Sequence, residues 1–133
     1  MKKKRLIPIL LFKDGNLVQA HNFKFYQNLG NPEQAVKRLS EWGSDELIYL
    51  DISDRKHDIA RTDIKYKSTS SFLNIIKKFS KFCFMPTTIG GKIKNLKDVE
   101  KRLLVGADKI SINSAALINP LLISNIAKEF GSQ

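Results

Sequence analysis

With 133 residues, 42% of them hydrophobic, the chain falls in the range of one globular domain; Cys83 is its single cysteine, so an internal disulfide is excluded. The longest apolar run, Leu6 to Phe12, is far short of the ~20 residues of a bilayer-spanning helix, and Pro8 and Lys13-Asp14 break what would follow the basic Met1–Arg5 start as a signal peptide, so a soluble cytoplasmic protein with no membrane contact is expected. The formal charge of +10 suits anionic small molecules, whereas lysines scattered along every predicted helix, and not grouped with aromatics, argue against nucleic acid.

Leu6 to Phe12 reads as a first strand, buried on both faces as parallel strands are. Lys13-Asp14-Gly15-Asn16 follows as a turn, and Leu17 to Phe25 reads as a loop with some strand character. Pro32, after Asn31, starts a helix, since proline is favoured at the first helical position. Its apolar stripe is Ala35, Val36, Leu39 and Trp42, and Gly43 ends it. Leu47 to Leu50 is the second strand, closing on Asp51. Asp54 to Lys67 is charged and lacks an apolar period, so it reads as a long loop; His57 within it has no second ligand at metal spacing and reads as a solvated side chain. Ser68 to Lys81 is the second helix, with Phe72, Leu73, Ile76 and Phe79 inward.

Phe84 to Ile89 is the third strand, stopped by Gly90-Gly91, and Cys83, taken as part of that apolar strand, reads as a buried, inert thiol. Asn95 can cap a third helix whose Leu96, Val99, Leu103 and Leu104 recur at helical spacing and which ends at Gly106. Lys109 to Ile112 is the fourth strand, followed by the small turn Asn113-Ser114-Ala115. A fourth helix runs from Pro120 through Ile123, Ile126 and Ala127 to Phe130. Four strands alternating with four helices predict an α/β fold with a parallel sheet and right-handed crossovers, as a single domain over residues 1–133. Two neighbouring strands ending in small residues bare backbone N–H groups at one rim, which bind phosphate without a positive side chain. The alternative is that the Gly pair merely makes a tight turn, against which Asn113-Ser114 on the neighbouring strand argues.

Beyond these local readings, TTIGGKI at Thr87–Ile93 and GADKISINSAALINP at Gly106–Pro120 resemble the cyclase subunit family of imidazole glycerol phosphate synthase, a (β/α)8 barrel of histidine biosynthesis. KDG at Lys13–Gly15, DELIYLDIS at Asp45–Ser53 and FGSQ at Phe130–Gln133 extend the resemblance over Arg5 to Gln133, in order and at barrel spacing. A full barrel takes ~250 residues, so the resemblance implies the N-terminal half of a TIM-like barrel, four βα units.

The resemblance implies chemistry at the C-terminal strand ends. The family's catalytic Asp on the first strand falls on Leu11 here, which cannot transfer a proton, and its second catalytic Asp lies on a fifth strand. No catalytic residue is therefore carried over, and no cofactor or metal is implied. One substrate phosphate would sit on Gly90, Gly91, Asn113, Ser114 and Ala115, with Lys92 in place of the usual third glycine. Arg5, Glu46 and Lys109 match charged residues that gate ammonia entering from a docked glutaminase subunit; charge pairing that closes the barrel bottom is the alternative. Asp51 is a candidate substrate contact, or else a capping or loop-bracing residue.

Leu11 and the long Asp54–Lys67 loop also resemble a paralogous branch that serves acetamidino-sugar synthesis for surface polysaccharide, where the barrel delivers ammonia. That branch is the preferred expectation: a phosphosugar-binding, ammonia-receiving subunit of a glutamine-dependent amidotransferase system. The histidine-pathway lyase/cyclase and a non-catalytic half-barrel binding module are the alternatives. Expected partners are a glutaminase, a phosphorylated small molecule and, through the exposed edges of the first and fourth strands, a second copy of the chain.

Overall fold

The computed structural model describes residues 3–53, 59–61 and 71–132. Seven strands form one sheet: β1 (Ile9–Lys13), β2 (Asn16–His21), β3 (Phe25–Gly30), β4 (Leu47–Asp51), β5 (Ile59–Arg61), β6 (Thr87–Gly90) and β7 (Lys109–Ser111), in the order β5-β3-β2-β1-β4-β6-β7. The four strands β1, β4, β6 and β7 are mutually parallel and lie side by side, as in half of a (β/α)8 barrel. The helices are α1 (Pro32–Glu41), α2 (Phe72–Phe79), α3 (Leu96–Leu104), α4 (Ser114–Ile118) and α5 (Leu121–Phe130).

Local chemistry sets the helix starts. The Asn31 side chain accepts from Glu33 N at 2.8 Å, with Pro32 opening α1. Ser71 Oγ accepts from Asn74 N at 3.4 Å ahead of α2, and Asn95 Oδ1 accepts from Asp98 N at 3.0 Å ahead of α3. Asp98 returns a contact, accepting from Lys94 N at 2.9 Å. The helices bury one face against the outer side of the parallel strands. Val36, Ile75, Ile76 and Phe79 meet Leu47, Tyr49 and Ile89 there, and Tyr49 stacks on Phe72 with ring centroids 5.4 Å apart. Burying each such side chain fully contributes roughly 1.5–3 kcal/mol. A second cluster of Ile93, Val99, Leu122 and Ile126 seats α5 on α3.

Strand alternation aims the remaining side chains at the concave face. Cross-strand register puts Leu11, Leu50, Gly90 and Ser111 in one row across the sheet, and Ile9, Ile48, Thr88 and Lys109 in a row below it. Ile9 is 59% exposed, whereas Leu47 and Tyr49 on the opposite face are fully buried.

Several expectations need correction. Leu17 to Phe25 is not a loop with some strand character but most of β2, the turn at 22–24 and the first residue of β3. Asp14 and Gly15 both take positive φ (49° and 85°), the pair of left-handed residues that a two-residue hairpin turn requires, so β2 folds back on β1. The upper edge of β1 is consequently paired through Leu11–Lys13; β5 and β7 are the two edges of the sheet, and among the described residues the lower part of β1 has no strand on its β2 side. The expected Asp54–Lys67 loop contains β5, parallel to β3; its other residues, His57 included, lie outside the described residues. The described part of the second helix spans Phe72–Phe79, and residues 68–70 likewise lie outside.

Trp42 and Leu104 leave the predicted stripes at 75% and 79% exposure: Trp42 is the C-cap of α1, and Leu104, one position on from Leu103, points off the face that Val99 and Leu103 bury, while Val105 beyond it still packs on the core. Phe84 is exposed and precedes the third parallel strand, which starts only at Thr87, after Pro86. Cys83 lies in the connection, not in a strand. It is half-buried, with Sγ 3.7 Å from Met85 O and from Thr87 Oγ1. The Asn113–Ala115 turn runs straight into the extra short helix α4, which the fourth predicted helix lacked.

Candidate functional site

The parallel strands all end at one rim, where β6 gives way to Gly91-Lys92 and β7 to Ile112-Asn113. Because Gly90 pairs with Ser111, these two turns are neighbours. Together with Asp51 and the start of α4 they enclose a cavity of about 590 Å³, lined by Gly91, Lys92, Asn113, Ser114 and Ala115 among others. The structure thus gathers four of the five rim residues singled out in the sequence. Gly90 lies one step back in the strand, where a Cβ would meet Leu50 Cδ2 at 2.7 Å and Ser111 O at 2.9 Å.

Gly91 is tighter still. Its φ is +88°, and a Cβ there would fall 2.1 Å from Asp51 O, so the turn is pressed against the end of β4. Lys92 follows with φ 55°, a left-handed conformation that costs a non-glycine residue roughly 1–2 kcal/mol and persists only where surroundings hold it. Ser114 and Ala115 open α4, and the first N–H groups of a helix have no intrahelical acceptor. At five residues α4 is too short to carry much macrodipole; what it offers is backbone donors. Lys92 and Lys94 on the lining add cationic charge to these donors. The combination suits a small oxyanion.

Asp51 is 9% exposed. Its Oδ1 accepts from Ser53 N at 3.0 Å and Ser53 Oγ at 2.6 Å, while Oδ2 lies 3.9 Å from Lys92 Nζ. The carboxylate therefore braces the strand end and the turn, and its residue also lines the cavity. Leu11 sits in the concave row of Leu50, Gly90 and Ser111. No group in that row can donate or accept a proton near neutral pH, so the row has no general acid or base.

Sequence reasoning passed over Arg102. It is 5% exposed, with Nη1 donating to Asp98 O at 2.7 Å and Nη2 to Gly91 O at 2.5 Å, and its guanidinium lies 6.0 Å from the Phe72 ring centroid. Burial pushes its pKa below the ordinary value, opposed by the charges of Asp98 and Asp51. The available signal was a charged residue three positions after Val99, beside Leu103 on the helix's apolar stripe.

At the opposite end of the strands, Arg5, Glu46 and Lys109 come together. Arg5 Nη1 donates to Glu46 Oε1, and Lys109 Nζ donates to Glu46 Oε2 at 3.1 Å. Glu46 is the shared partner, its side chain 13% exposed. Lys109 reaches it from the lower row of the concave face. Two cations thus share one carboxylate at this end of the strands. Among the described residues no His/Cys/Asp/Glu group is arranged to hold a metal ion, and no helix is long and apolar enough to cross a membrane.

A family model described as "Histidine biosynthesis protein" matches residues 5–133. Among curated relatives, a protein of Parabacteroides distasonis named imidazole glycerol phosphate synthase subunit HisF is 42% identical over 133 residues, covering all of this chain and 49% of the relative. Proteins of the same name from Bacteroides thetaiotaomicron and Streptococcus sanguinis are 41% and 37% identical over the same shares. The chain spans about half the length of the curated relatives it matches.

Proposed function

Because the chain belongs to the histidine biosynthesis protein family, we propose that it supplies the phosphosugar-binding rim and the ammonia-receiving mouth of an imidazole glycerol phosphate synthase-type cyclase subunit. The observation that carries this reading is the cavity formed by Gly91, Lys92 and Asn113–Ala115 at the C-terminal strand ends. A phosphate there replaces water at backbone donors and sees Lys92 and Lys94. The Arg5–Glu46–Lys109 cluster is the matching lower mouth, where a glutaminase subunit docks and ammonia enters. Leu11 stands at the family's catalytic Asp position and leaves its row of Leu50, Gly90 and Ser111 without a proton-transferring group, so the contribution of this half is binding and delivery.

The experiment is calorimetric titration with ribose 5-phosphate and, in parallel, with ribose. The phosphate ester binds, the free sugar does not, and Ser114→Asp, which sets a carboxylate at the rim, weakens binding at least tenfold while the melting temperature stays within a few degrees. Equal binding of both sugars contradicts the reading.

A second reading rests on Leu11. A barrel that passes ammonia to an amidotransferase in acetamidino-sugar synthesis has no need of the first-strand carboxylate. Pull-down with the two classes of glutaminase separates the readings: capture by the histidine-pathway class favours the first, by the polysaccharide-linked class the second, and by neither a binding module without ammonia transfer.

A further inference from the structure

The geometry points to Arg102 as the residue that positions the anion-binding turn, by fixing the plane of the peptide between Gly91 and Lys92. This rests on the phosphate-binding reading above. The Arg102 side chain runs back along α3, donates to Asp98 O, and ends on Gly91 O at 2.5 Å. In a trans peptide the carbonyl and the N–H point in opposite directions, and no cis peptide occurs among the described residues. Drawing the Gly91 carbonyl toward α3 therefore turns the Lys92 N–H the other way. Arg102 lines a larger cavity, of about 810 Å³, on the α2–α3 side; it does not line the smaller one, whereas Lys92 borders both. The side away from Arg102 is the side of Asn113, Ser114 and Ala115.

The turn is thus clamped from two directions. The Asp51 backbone leaves no room for a Cβ at Gly91, and Arg102 holds the Gly91 carbonyl. Lys92 remains in its left-handed conformation between them. The Phe72 ring and the Asp98 carbonyl hold the guanidinium itself, so Arg102 acts as a rigid strut and not as a solvent-exposed cation. A charged hydrogen bond to a carbonyl is also stronger than a neutral one, which suits a role of holding a disfavoured backbone. Arg102 touches no substrate in this scheme; it is a positioning residue.

The test uses the 133-residue chain with two variants, Arg102→Leu and Arg102→Lys, and two readouts. The first, on protein without ligand, is hydrogen exchange and chemical shift of the Lys92 amide. Arg102→Leu shifts that resonance and speeds its exchange at least tenfold relative to the Ile89 amide in the adjoining strand; Arg102→Lys, which retains one donor, gives an intermediate value. An unchanged Lys92 amide in both variants overturns the inference, whatever binds. The second readout is titration with inorganic phosphate. Wild-type protein shows saturable shifts at Lys92, Ser114 and Ala115, and Arg102→Leu binds at least tenfold more weakly with those of Ser114 and Ala115 still responding. Wild-type protein that ignores phosphate refutes the phosphate reading and leaves the amide readout to decide on the strut. Phosphate affinity within twofold of wild type in Arg102→Leu refutes the positioning role. Should Arg102→Leu fail to fold, Arg102→Lys decides by the same two criteria.

Discussion

Gly91→Ala is expected to remove phosphate binding and to lower stability by at least about 2 kcal/mol, as read from titration and from urea unfolding of the same variant. Two costs combine. Alanine at φ +88° sits in the left-handed region, and its Cβ would lie 2.1 Å from Asp51 O, a backbone atom that cannot swing aside. Either β4 and β6 separate at their ends or the turn changes conformation; both dismantle the rim. Gly43→Ala is the internal control. It has a comparable φ of +75° but nothing within 4 Å of the added methyl, so it pays only the backbone cost of about 1 kcal/mol and leaves binding intact. Equal losses in the two variants would show that the Asp51 contact is unimportant.

The second large effect concerns association. Expressed as the 133-residue chain, the protein is expected to sediment at about twice its 15.1 kDa mass at micromolar concentration, with dissociation on dilution. The concave face presents Ile9, Leu11, Ile48 and Leu50, and β7 offers an unpaired edge; in the relatives, which are about twice as long, there is a second stretch of comparable length to cover such a face. A second copy is the equivalent cover for the chain alone. Leu50→Lys places a charge in the middle of that face and is expected to give a monomer. A wild-type chain that sediments as a monodisperse monomer and unfolds cooperatively would contradict the proposal.

How much was legible in the sequence follows the length scale of each signal. The parallel strands and their helices could be read because each is punctuated locally: Asn31, Asn95 and Gly106 mark helix ends, and the short β-branched or apolar runs sit between them. The β1–β2 hairpin was missed although Asp14-Gly15 is a hairpin signal, and the β2–β3 hairpin because its left-handed turn residues, Asn22 and Phe23, include no glycine to mark them. Trp42 and Leu104 were counted into apolar stripes yet face solvent, since Trp42 falls at a helix cap and Leu104 at the margin of the buried face, where apolar spacing alone does not decide.

The site divides in the same way. Gly91, Asn113, Ser114 and Ala115 could be named from residue type at a strand end, and the lower-mouth trio from resemblance at three strand starts. The contact of all three through Glu46 is tertiary, as is the clamp of Asp51 and Arg102 on the Gly91 turn. A buried arginine looks like any other surface charge until the carbonyl it reaches, eleven positions away, is known.

The most direct measurement is a crystal structure of the chain with ribose 5-phosphate bound. The phosphate oxygens are expected to accept from the Lys92, Ser114 and Ala115 N–H groups, in the cavity between the ends of β6 and β7, with Arg102 still on the Gly91 carbonyl. Phosphate bound instead among Lys94, Lys101 and Arg102 in the larger cavity, or only on scattered surface lysines, would contradict that expectation.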